Sequence, residues 1–212
     1  MLSTASRNGY FYTLDRVTGE HLVTSKFGSA TNWARGLRPT GVVEPNLDKA
    51  ATIPGSLVSP VEGGVTNWPP AAFSPKTHFF YVHERNGFNI LYLSDPDPRG
   101  SMGLGGKTVA NVGSAPGYLT AIDYRTGKIG WRRTLPGATA AGATGGVLAT
   151  AGDLLFTGDA SGNFVAFDAK KGAPLWHSRI GNPTGAPITY LIDGRQHVLV
   201  PVGDTLYDFA LY

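Results

Sequence analysis

Cysteine is absent from all 212 residues, so no disulfide, thiolate nucleophile or zinc–thiolate site is open to the chain. No apolar run reaches 18 residues, which leaves no candidate for a membrane-spanning helix. The first residues, MLSTASRNGYFY, lack the apolar centre of an export signal. Basic clusters are missing too. The only doublets are Arg132–Arg133 and Lys170–Lys171, so a net charge of +3 and a pI of about 9.2 do not make a nucleic-acid surface. No sustained 3.6-residue apolar period with caps occurs, and almost no helix is expected.

Glycine and proline are abundant instead. There are 29 Gly and 15 Pro, roughly a fifth of the chain and well above average usage. Aromatics at 11% and hydrophobic residues at 42% exclude a disordered composition and supply a sizeable core. Short strands joined by many turns fit both facts.

One frame recurs. AIDYRTGKIGW begins at Ala121 and AFDAKKGAPLW at Ala166. Ala121/Ala166, Asp123/Asp168, Gly127/Gly172 and Trp131/Trp176 each stand 45 residues apart, within the range of four-stranded propeller blades. A third copy, TLDRVTGEHLV, keeps Asp15 and Gly19 but ends on Val23. Asp opens a tight turn by accepting backbone N–H bonds, and Gly supplies the positive φ at its end. Trp, four residues past Gly, lies between neighbouring sheets. Trp131→Ala and Trp176→Ala are therefore both expected to cost about 3–5 kcal/mol if the rings are buried.

The fold expected is all-β: a partial β-propeller of four-stranded antiparallel blades over residues 1–212. Residues 1–27 are the last two strands of a blade, 28–66 a connecting loop, and 67–136 a blade with an insertion at 85–116. Residues 137–181 form a complete blade and 182–212 three strands of an incomplete last one. Such a count falls short of most ring closures and reads as part of a larger ring. Innermost strands start near Pro69, Gly145 and Ala186 or Pro187. The residues just before them face the propeller axis, which places Asn67 and Trp68 where an axial ligand would touch them. Asn offers donors and an acceptor, and Trp a flat face and one N–H. Asn67 is equally readable as a cap on the turn into Pro69, Trp68 as a core aromatic, and Arg7 as an exposed terminal arginine.

The ordered segments RNGYFYTLDRVTGE, GGVTNWPPAAFSPKTHFFYV, LTAIDYRTGKIGW, GGVLATAGDLLFTGDASGNFVAFDAKKGAPLW and GAPITYLIDGRQHVLV resemble the C-terminal part of the quinoprotein alcohol dehydrogenases. These are eight-bladed propellers that use pyrroloquinoline quinone (PQQ) and calcium in the periplasm. The resemblance implies that Arg7 stands near the quinone carbonyls, that Asn67 and Trp68 lie beside the cofactor, and that Ala186 lines the site. It also implies parts this sequence does not carry: the calcium-binding Glu and Asn, the Asp base, a stacking Trp and an adjacent-cysteine disulfide. No catalytic residue and no metal ligand is therefore assigned here, calcium is expected only in the full-length family member, and the chain alone is expected to be inactive. A small alcohol or sugar is the implied substrate. A non-catalytic propeller module, like the lipoprotein scaffolds of outer-membrane assembly that carry similar blades, is the alternative. Exposed blade faces lead to the expectation of a homo-oligomer, or of a partner chain bearing the missing blades.

Two other motifs carry little. SMGLGGKT ends like a phosphate loop, but Ser101 stands where the first Gly belongs and no helix follows. SDPDPRG reads as a surface turn rather than an ion cage. The five His residues are scattered over strands without a Gly-x-Ser-x-Gly elbow, so a hydrolase has no support.

Overall fold

The three Asp-to-Gly turns fold alike. In the computed structural model, which describes residues 1–94, 107–137 and 145–210, each Asp carboxylate accepts from backbone N–H groups two or three residues on. Asp15 takes those of Val17 and Thr18, Asp123 that of Arg125, and Asp168 those of Lys170 and Lys171, all at 2.8–2.9 Å. Each Gly N–H then returns to its Asp carbonyl, with φ of +76° at Gly19, +70° at Gly127 and +64° at Gly172. That region disfavours any residue with a Cβ. In all three copies the strand pairing slips immediately after the turn. Local turn chemistry thus sets the register of each outer hairpin.

Four antiparallel sheets follow one another. The first joins β1 (Leu2–Ala5), β2 (Tyr10–Leu14) and β3 (His21–Lys26). A small hairpin of β4 (Ala34–Leu37) and β5 (Val43–Pro45), a 3-10 turn at Leu47–Lys49 and β6 (Ser56–Val58) lie within residues 28–66. The second sheet contains β6, β7 (Ala72–Ser74), β8 (Phe79–Leu93), β9 (Lys107–Asp123) and β10 (Ile129–Thr134). The third is a complete four-stranded unit of β11 (Leu148–Ala149), β12 (Leu154–Gly158), β13 (Asn163–Asp168) and β14 (Pro174–Arg179). The last has β15 (Ile188–Ile192), β16 (Arg195–Val202) and β17 (Thr205–Ala210).

Two details differ from the sequence reading. The first unit has three strands, not two: the short, half-polar segment at Leu2–Ala5 pairs with β2, and a 2.9 Å hydrogen bond links the Ser3 and Thr13 hydroxyls. The insertion at 85–116 prolongs the β8–β9 hairpin, whose pairing runs from Phe79↔Asp123 to Leu93↔Lys107, and β6 pairs along its extension. The phosphate-loop-like residues 101–106 and the Asp95–Asp97 turn lie outside the described residues.

Apolar side chains fill each space between sheets. Phe11, Phe27, Val65, Val82 and Ile122 join the first two sheets. Tyr81, Leu119, Leu135, Leu155 and Phe167 join the second and third, and Phe164, Val198 and Val200 the third and last. One polar cluster is buried among them. The Glu84 carboxylate, without solvent exposure, pairs with Arg132 at 2.9 Å and accepts from Ser29 N–H, the Asn86 amide and the Thr120 hydroxyl at 2.8–3.1 Å. Arg132 also donates to the Phe27 carbonyl at 2.6 Å.

The Trp position of one copy rests on the Gly of the next. A Cβ at Gly172 would come within 2.5 Å of the Trp131 ring, and one at Gly127 within 2.8 Å of Val23. The Trp131 indole N–H donates to the Ala169 carbonyl at 3.0 Å. Trp176 has no such seat. It is 43% exposed and meets the edges of Phe164 and Phe209, and the last sheet carries no further Asp-to-Gly turn to receive it. The expectation of equal, large losses is corrected accordingly. Trp131→Ala should lower stability by about 3 kcal/mol and Trp176→Ala by about 1 kcal/mol in denaturant titrations; equal losses would contradict this account.

Candidate functional site

The chain enters three successive sheets at one place. The segments before β7, β11 and β15 lie side by side: the Val147 N–H donates to the Pro70 carbonyl at 2.9 Å. A Cβ at Gly146 would lie 2.6 Å from Pro70 and 2.7 Å from the Cβ of Ala186. Only glycine permits this approach. It brings Ala186 to the same junction as the stretch that carries Asn67 and Trp68.

Arg7, in the turn between β1 and β2, reaches the stretch of residues 62–65. Its carbonyl accepts from Val65 N–H at 2.9 Å, and its guanidinium donates to the Glu62 carbonyl. Gly64, at φ +80°, passes so close that a Cβ there would be 2.7 Å from that of Arg7. The Asn67 amide donates to the Gly63 carbonyl at 3.1 Å. Among the described residues its own carbonyl oxygen takes no backbone N–H, so it does not cap the turn into Pro69. Trp68 is 64% exposed and is not a core residue. Arg7 and Asn67 therefore meet on the 62–65 segment, Trp68 follows Asn67 in the chain, and Ala186 lies at the Pro70–Gly146 contact. Arg7 also lines a cleft of about 360 Å³ with Asn8, Trp33, Pro60, Glu62 and Gly64, but Asn67, Trp68 and Ala186 do not.

Sequence reasoning missed Arg85. It follows Glu84 at a pairing irregularity of β8. Its N–H donates to the Val65 carbonyl at 2.8 Å and its guanidinium to the Gly63 carbonyl at 3.3 Å. Burial, and then the charge of Arg7, hold its pKa below the ordinary arginine value. Nothing in the run HERN marks it; only the fold brings it to residues 62–65. Among the described residues no group of three or more His, Asp or Glu is placed to hold a metal ion.

Comparisons with known proteins identify relatives of the chain. The family described as "Glucose/ethanol/alcohol dehydrogenase, beta-propeller domain", of the PQQ type, matches residues 102–198. Quinoprotein alcohol dehydrogenase PedH of Pseudomonas putida is 36% identical, over 95% of this chain and 35% of its own length. The dehydrogenase subunit of the quinone alcohol dehydrogenase of Gluconacetobacter polyoxogenes is 36% identical, over 98% of this chain and 30% of its own. The solved quinohemoprotein alcohol dehydrogenase of Comamonas testosteroni superposes with a TM-score of 0.80 at 29% identity, over 95% of this chain and 31% of that one. The chain carries a PQQ-type β-propeller domain and is similar over nearly its whole length to quinoprotein alcohol dehydrogenases. It spans about a third of the length of these relatives, and its fold is that of their β-propeller.

One buried imidazole braces the junction. His83 is 5% exposed and its Nε2 lies 2.7 Å from the Thr157 hydroxyl. That hydroxyl donates to the Gly146 carbonyl at 3.0 Å, so it accepts from His83 Nε2–H. Burial, with the charge of Arg85 second, lowers the His83 pKa to about 4. The unfolded chain, with an imidazole near 6.5, then binds more protons between those values. The contribution of neutral His83 is complete above about pH 6.5 and is lost as pH falls toward 4. Denaturant titrations at pH 7.5 and 4.5 should show the parent losing about 2 to 3 kcal/mol more than His83→Gln. Equal losses would mean that His83 is charged or hydrated in the folded state.

Proposed function

We propose that this chain contributes part of the pyrroloquinoline quinone site of a periplasmic alcohol or sugar dehydrogenase. The observation that carries the reading is the convergence of Arg7 and Asn67 on residues 62–65, beside exposed Trp68 and the Pro70–Gly146–Ala186 junction. The residues suit such a ligand. Arg7 has guanidinium N–H groups beyond the one given to Glu62, Asn67 has an uncommitted carbonyl, and the Trp68 indole presents a flat apolar face. When bound, the quinone serves as acceptor of the hydride from the alcohol carbon. Arg7 would donate to a ligand oxygen and stabilise negative charge there. Asn67 would fix the ligand's orientation, and Ala186 would leave room for it at the axis. None of these groups is a general base at neutral pH, so the residues named here bind and orient rather than move the substrate proton. Calcium ligands are not assigned to this chain. Titration with PQQ should show saturable binding that Asn67→Ala weakens about tenfold, with no dye reduction when alcohol is added. Absence of binding would favour the non-catalytic module, and robust turnover would contradict the assignment of roles.

The exposed blade faces support a partner as well. Leu2 and Leu22 of the first sheet and Ile188 and Leu206 of the last are 43–66% exposed. Covering such faces with a second copy, or with a chain that supplies further blades, removes apolar surface from water. Light scattering after size-exclusion chromatography should find a homo-oligomer, most simply a dimer. A monomer that unfolds cooperatively would oppose this.

A further inference from the structure

Arg85 carries a charge that no carboxylate among the described residues neutralises. Its guanidinium gives one bond to the Gly63 carbonyl, and the neighbouring Arg7 guanidinium gives one to the adjacent Glu62 carbonyl. Arg7 lies close enough that its charge disfavours that of Arg85. Among the described residues neither has a carboxylate within ion-pair distance, whereas Arg132, Arg125 and Arg38 each do. A guanidinium has five N–H donors in a rigid fork, matched to carboxylate oxygens. Two such forks directed at consecutive carbonyls of one segment, one of them half-buried, form an electropositive seat one to two residues from the segment that holds Asn67.

We propose that Arg85 and Arg7 together form a carboxylate-binding seat, and that Arg85 holds a carboxylate group of the ligand whose ring Asn67 and Trp68 contact. This rests on the quinone-site reading above and extends it to a residue that the resemblance did not supply. The alternative is that Arg85 merely latches the loop through the Gly63 carbonyl. Gln at position 85 keeps an N–H for that carbonyl and has no charge, so it separates the two roles. Lys keeps the charge and loses the fork.

The test is calorimetric titration of the parent chain, Arg85→Gln, Arg85→Lys and Asn67→Ala with two probes, PQQ and citrate, at low and high salt. Citrate supplies carboxylates without a quinone ring. The expected result is that Arg85→Gln binds both probes about tenfold or more weakly and with a flatter salt dependence, that Arg85→Lys recovers part of the loss, and that Asn67→Ala affects PQQ alone. If Arg85→Gln binds both probes like the parent while Asn67→Ala loses PQQ, the seat is wrong and the quinone reading stands. If the parent binds citrate through Arg85 but not PQQ, the seat stands and the quinone reading is wrong. Binding of neither probe overturns both. Arg85→Asn, likewise an uncharged side chain with an N–H donor, replaces Arg85→Gln if thermal melting shows the latter unfolded, with the same outcomes.

Discussion

A carboxylate with no access to water must be matched atom by atom, and Glu84 is placed so that the match requires two sheets at once. Its oxygens take a bond from Thr120 on β9, from Asn86 two residues along its own strand, and from Ser29 in the segment after the first sheet. Arg132 on β10 supplies the opposite charge and passes a further bond to Phe27. Loss of any one partner leaves a buried group uncompensated, which costs far more than the bond itself contributes. The position of the first sheet against the second is thereby set, and Arg7 is carried on the first sheet. Arg85 follows Glu84 directly. The relation between the two arginines is a consequence of how that carboxylate is satisfied.

The successive sheets are linked by a second, repeating device. The Trp position of each of the first two copies of the turn motif sits on the Gly of the next, with Val23 on Gly127 and Trp131 on Gly172. One residue type thus does two things: glycine makes the positive-φ turn and, having no side chain, gives the preceding blade a flat surface to rest on. The His83–Thr157–Gly146 chain of bonds ties the same two sheets near the opposite, axial end. Sheets fixed at both ends have little freedom to shift, and small residues such as Gly146 and Ala186 then set how closely the strand starts approach.

What the sequence made legible is what a local rule controls. The Asp-to-Gly turns are read from side chains that bond their own backbone, and the third sheet's strands from alternation between turns; both are where expected. The meeting of the stretches before β7, β11 and β15 at Pro70, Gly146 and Ala186 was legible by internal alignment, because repeated units place equivalent residues equivalently. Leu2–Ala5 was not, since LSTA is too short and too polar to signal a strand without its partner β2. The exposure of Trp176 was not, because its motif is the same as that of Trp131 and only the following sheet differs. Glu84 and Arg85 were least legible of all. A charged pair in the middle of an apolar strand looks like an exposed surface turn until the chain from residues 27–30 and 62–65 is laid over it.

The site therefore depends on long-range closure rather than on a motif. Arg7, Asn67 and Arg85 come from three separated stretches and share no spacing, yet all three donate to consecutive carbonyls of residues 62 and 63. Those carbonyls are turned toward the side chains because Gly64 adopts a conformation closed to other residues and packs against Arg7. A backbone segment that accepts three side chains at once orders them without a rigid pocket wall. The donors are held by the protein, while their remaining N–H groups and the Trp68 face stay available to a ligand. Preorganisation of this kind lowers the conformational entropy lost on binding. In this chain it resides in Gly64 and two peptide carbonyls, and the positions of the side chains proposed to meet a ligand follow from them.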